Sequence, residues 1–132
     1  MTATIETDQL QALRFPVGMF EFGKTYTDED IQQFIKKIEG FPARLKKLTA
    51  GLTAEQFDTS YREGGWTIRQ VIHHLADSHM NAYIRFKLAL TEDTPAIKPY
   101  NQTAWAELED SKTALPQVSI DLLTSLHARW TI

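Results

Sequence analysis

Apolar residues return every three or four positions along three stretches of this chain, which is the helical period. Ile31, Phe34, Ile35, Ile38, Phe41, Leu45 and Leu48 form the first series. Thr27 offers an N-cap oxygen ahead of it, and Asp28, Glu29 and Asp30 place carboxylates at the positive end of the helix dipole. Gly40 and Pro42 fall inside the series. Pro42 has no N–H and its ring crowds the preceding turn, so the pattern predicts a kink or a split there. Gly51 is placed to cap the far end. The second series opens on a capping-box pattern, Thr67-Ile68-Arg69-Gln70. Ile68, Ile72, Leu75, His79, Ala82, Tyr83, Phe86 and Leu90 then share one stripe, predicting a long helix to about Thr91. Val118, Leu122, Leu123, Leu126, His127 and Trp130 make the third, still running at Ile132 with no Gly, Pro or Asn to stop it.

The connecting stretches are short of regular structure. Thr53-Ala54-Glu55-Gln56 is a second capping box, opening a turn of helix through Phe57. A loop, Tyr61 to Trp66, carries Gly64-Gly65. Glu92 to Pro116 contains Pro95, Pro99 and Pro116 and reads as loop, apart from a short helical stretch around Asn101–Leu108 that carries Trp105. The first 26 residues, with Pro16, Gly18, Gly23 and the rings of Phe15, Phe20, Phe22 and Tyr26, predict an irregular arm packed on the domain through its aromatics. No strand alternation of useful length occurs, and no repeat. The fold class expected is all-α, as one domain over residues 1–132.

Composition narrows the chemistry. There are 14 Lys+Arg against 17 Asp+Glu, a formal charge of −3, which argues against a nucleic-acid surface. The absence of Cys excludes a disulfide scaffold, a thiolate zinc site, an iron–sulfur cluster and a cysteine nucleophile. No apolar run approaches the roughly 20 residues that span a bilayer, and Met1–Asp8 lacks the features of a signal peptide. The chain reads as a cytoplasmic domain without membrane or nucleic-acid partners.

The remaining chemistry rests on His73, His74, His79 and His127. None of these is spaced i, i+4 from another, so they make no helical zinc chelate by themselves. His79 lies mid-stripe, where a hydrogen-bonded core histidine is the commoner arrangement. His73 and His74 fall on opposite flanks, so at most one faces the interior at that level. His127 reads as an ordinary helix residue. No Gly-x-Ser-x-Gly elbow or phosphate loop is present. Asp77, Ser78 and His79 are adjacent, but helix neighbours diverge by about 100° and cannot form a triad. Arg69 and Arg85 are expected to face solvent or a carboxylate.

From Gly64 to Asn81 the run GGWTIRQVIHHLADSHMN closely resembles the YfiT-like branch of the DinB superfamily, metal-dependent hydrolases that include the bacillithiol transferases. The likeness continues through Tyr83–Lys87, Leu90–Glu92, Ile97–Tyr100, Ala104-Trp105 and Leu126–Trp130, and takes in Phe15–Gly18 and Phe41–Leu45. It implies an up-and-down four-helix bundle holding one divalent ion, nickel or zinc, on three histidines. One ligand falls on His74; a His-x-x-x-His pair on a last helix, without counterpart in these 132 residues, supplies the others. His79, which periodicity alone favours, then becomes a core residue or one that orients a ligand or bound water. Implied activities are transfer of a small thiol to an electrophile, or hydrolysis by the same activation; no catalytic base is assigned. With one family ligand of three, this chain is expected to bind metal weakly or not at all. It is also expected to self-associate, as a homodimer or larger, through the apolar stripe a fourth helix would cover. The alternative is a non-catalytic helical module for interaction or stress response, with an incomplete metal site.

Overall fold

The computed structural model describes residues 9–132; the Met1–Asp8 reading lies outside them. The chain divides into two compact units, Met1–Ile31 and Gln32–Ile132. In the first, residues 9–14 are helical, where an irregular arm was expected. Gly18 and Gly23 follow with φ of 84° and 80°, a left-handed conformation that glycine adopts without a Cβ penalty. The arm's rings are not buried. Phe20 and Phe22 meet edge to face at 4.9 Å, yet stay 72% and 91% exposed.

Helix α1 (Asp28–Glu39) begins where the sequence places it. The Asp30 N–H donates to Thr27 Oγ1 and the Thr27 N–H to Asp30 Oδ2, satisfying two donors that a helix start leaves free. Gly40 and Pro42 split the series, and α2 (Phe41–Thr49) follows with Pro42 in its first turn. Ala50 is extended and Gly51 takes φ +83°, ending the helix. Both predicted capping boxes form: Thr53 with Gln56 opens α3 (Ala54–Phe57), and Thr67 with Gln70 opens α4 (Ile68–Thr91). Between them Tyr61 N–H bonds the Trp66 carbonyl and Ile68 N–H the Thr59 carbonyl, closing the glycine loop.

The 92–115 stretch holds two short helices rather than one, α5 (Gln102–Ala106) and α6 (Glu109–Thr113). The final helix, α7 (Pro116–Trp130), packs most extensively on α4, and α2 packs on α7. Leu45, Ile72, Ala76, Ile120 and Leu123 form the core, with Phe41, Phe57, Ile68 and Leu75 against it. The stripe of α7 is rotated from the expected one. Val118 and Leu122 are 62% and 40% exposed, whereas Ser119, Ile120, Leu123 and His127 are buried. On α4, Phe86 and Leu90 also stay exposed. Among the described residues there is no strand, only an isolated bridge between Ser60 and Thr67. No described helix is long and apolar enough to cross a membrane.

Candidate functional site

The capping box and the closed glycine loop fix where α4 starts, and so where its histidines point. Gly65 has no room for a Cβ, which would lie 2.6 Å from Arg62 Cγ. That tight turn delivers Trp66 against His74, ring centroids 4.8 Å apart. At the same level Arg69 enters the interior, reaching Asp58 Oδ1 at 2.7 Å and the Ala114 carbonyl at 2.9 Å. Arg69 is therefore a buried cation with a carboxylate partner, not a solvated one. Gln70 bonds the Ala106 carbonyl at 2.7 Å, tying α4 to α5.

The four histidines differ in how many ring nitrogens are already committed. His73 is buried with both engaged, Nε2 with the Ala114 carbonyl and Nδ1 with Ser119 Oγ. A carbonyl only accepts, so Nε2 carries the proton and Nδ1 accepts from the serine hydroxyl. His127, expected to be an ordinary helix residue, is 1% exposed and also engaged at both nitrogens: Nδ1 to the Ile38 carbonyl at 2.6 Å, Nε2 to His79 Nδ1 at 2.7 Å. His79 has one nitrogen engaged. His74 is half-buried and, among the described residues, has a partner for neither nitrogen. Among the described residues, His74 and His79 are thus the histidines that retain a ring nitrogen without a partner.

Electrostatics favour neutral rings at both. Burial lowers the His74 pKa from the ordinary imidazole value. Burial, then the imidazoles of His127 and His74, push His79 down to about 4. A neutral imidazole is the form that coordinates a metal or accepts a proton. Around His79 the walls are aromatic: Phe41 at 5.1 Å and Trp130 at 6.2 Å between centroids. Tyr83, one turn on, carries the hydroxyl Oη, a buried side-chain atom with no hydrogen-bond partner among the described residues. Burial raises the Asp77 pKa, aided by Asp110.

Among the described residues no group of three or more His, Asp or Glu is placed to hold a metal ion together. His74 fits the role of one ligand among several; a complete ligand set is not formed from these residues. A separate hollow of about 350 Å³, lined by Lys46, Thr49, Phe57, Leu115 and Ile120, contains no histidine.

Comparison with known proteins gives these residues a context. A family model described as the DinB superfamily matches residues 37–131. YfiT of Bacillus subtilis (strain 168), described as a candidate metal-dependent hydrolase, is 55% identical over 119 residues, 90% of this chain and 67% of YfiT. A relative in Bacillus cereus (strain B4264), described in the same words, is 54% identical over 118 residues, 89% of this chain and 68% of its own length. The solved structure of YfiT, reported to have an unusual four-helix bundle topology, matches with a TM-score of 0.88 at 54% identity, covering 91% of this chain and 69% of that one. The all-α bundle architecture expected from sequence is therefore the observed one. Because the family match takes in α2 through α7 and all four histidines, the chain belongs to the DinB superfamily.

Proposed function

We propose that this chain carries part of a divalent-metal site of a hydrolase-like enzyme, with His74 as a ligand, nickel or zinc as the ion, and a small thiol and an electrophile as reactants. One observation carries the proposal: His74 is half-buried against Trp66 with neither ring nitrogen committed to a partner among the described residues. Relatives described as metal-dependent hydrolases support the coarser part, metal-dependent hydrolase-like chemistry. The resemblance of Gly64–Asn81 supports the finer part, thiol transfer. A bound divalent ion would supply Lewis acidity, making a water or thiol nucleophilic near neutral pH.

The chain's own residues do the rest. Burial holds the His74 ring neutral at pH 7, so its lone pair need not first shed a proton. Trp66 covers one side of the ring and excludes water there. Arg69 and Gln70 anchor the first turn of α4 to the α5–α7 region, so the imidazole is carried on a fixed element.

Calorimetric titration with nickel or zinc tests this. Binding is expected to be weak, and His74→Ala should weaken it a further tenfold or more, as removing a ligand or its support does. Equal heats from the two proteins would contradict the assignment. Consumption of iodoacetamide with and without cysteine separates thiol transfer from hydrolysis. A folded, metal-loaded chain with neither activity supports the non-catalytic module instead.

We also propose that copies of the chain associate, as a homodimer or larger. Ile84, Phe86 and Leu90 on α4 are 54%, 54% and 80% exposed, an apolar surface that a second copy would cover. A scattering mass that rises with concentration supports this. A constant monomer mass without binding of an apolar dye contradicts it.

A further inference from the structure

In an unbroken helix the Ile38 carbonyl would accept the N–H of the residue four positions on. That residue is Pro42, which has none. The carbonyl instead accepts from His127 Nδ1 at 2.6 Å. His127 therefore carries a proton on Nδ1. It is 1% exposed, and its bonds go to a carbonyl and an imidazole, so a second proton would bury an unpaired charge. His127 Nε2 is thus an acceptor, and the nitrogen 2.7 Å away, His79 Nδ1, donates to it. The proton of a neutral His79 is then spoken for, and its Nε2 is left bare. Among the described residues that nitrogen has no hydrogen-bond partner, it is not one of the buried polar atoms that lack one, and the His79 side chain is only partly buried.

We infer that Pro42, Ile38, His127 and His79 form a tautomer relay, which makes His79 a positioning residue whose Nε2 accepts a hydrogen bond from an O–H or S–H group of a small ligand. Its use beside His74 rests on the function proposed above; the tautomer itself does not. The relay spans four helices, with Ile38 on α1, Pro42 on α2, His127 on α7 and His79 on α4. A helix break selects the free carbonyl, the carbonyl selects the His127 tautomer, and that ring selects the His79 tautomer.

Nitrogen-15 NMR of the imidazoles in the metal-free chain reads each link. His79 should show a protonated Nδ1 and a bare Nε2 in the wild type. His127→Phe removes the acceptor, and His79 should relax to a mixture of both tautomers. Pro42→Ala returns an N–H to Ile38 and should shift the His127 signals while leaving the core residues in place; it keeps the test open if His127→Phe fails to fold. Ethanethiol and ethanol are the ligand probes: a shift at His79 Nε2 with either supports the acceptor role and tells S–H from O–H. A wild-type His79 protonated on Nε2, no tautomer change in a folded variant, or no response to either probe would overturn the inference. His74→Ala should leave the His79 tautomer unchanged, so metal binding that survives this substitution would count against the His74 reading alone.

Discussion

Arg69 shows what one residue does when the fold takes a charge inside. It is 7% exposed and tied to Asp58 and the Ala114 carbonyl, while Asp58 stays exposed and has its pKa lowered by the guanidinium. Arg69→Ala should cost about 2 kcal/mol in denaturant unfolding, the loss of a charge-assisted hydrogen bond and of the packing around it. Arg69→Lys should not restore the whole, since an ammonium cannot span both acceptors as the planar fork does. Sequence reasoning gave Arg69 a carboxylate as one option and put His127 in an apolar stripe, but it missed the burial of Arg69, Gln70, His73, Ser111 and Ser119 and the distant partners of His127. Periodicity tells which side of a helix a residue occupies, not whether a partner 40 or more positions away can satisfy it. His127 is the clearest case: its place depends on a carbonyl 89 residues earlier, released by a proline. His74 was singled out only by resemblance, because a nitrogen at the edge of a stripe leaves no trace in spacing.

At the scale of elements, local chemistry was readable and burial was not. Thr27, Thr53 and Thr67 cap helices as their sequence patterns predict, and Gly40–Pro42 divides α1 from α2. Thr67→Ala should lower stability by about 1 kcal/mol, measured by thermal or denaturant unfolding, since it frees the Gln70 N–H at the start of the helix carrying His74. The buried face of α7 was misread because apolar residues occupy more than one of its sides; Leu123, fully buried, marks the true one. Leu123→Ala should cost about 2–5 kcal/mol, whereas Leu122→Ala, at an exposed position, should stay within about 0.5 kcal/mol. The helix α6 was missed because its five residues carry no apolar period.

For the whole molecule, the two histidines with depressed pKa values couple folding to pH. A folded His79 titrating at about 4, against an ordinary value of 6.5, means that the unfolded chain binds more protons between those limits. His74 acts in the same direction. Their contribution is complete above pH 6.5 and is lost as pH falls toward 4, so the urea midpoint should drop across that window. In His79→Gln the drop should be shallower; an unchanged slope would show that His79 does not carry the coupling. The all-α class followed from three apolar periods and the bundle architecture from the family resemblance, and the solved relative bears both out.

Paramagnetic nickel is the most direct probe of the central claim, that His74 is where a divalent ion meets this fold. Added in small steps to the chain at neutral pH, it should broaden the imidazole signals of His74 first, with His79 following and the doubly bonded His73 and His127 responding last. Broadening that begins at His73 or His127, or that spares His74 altogether, would contradict the account.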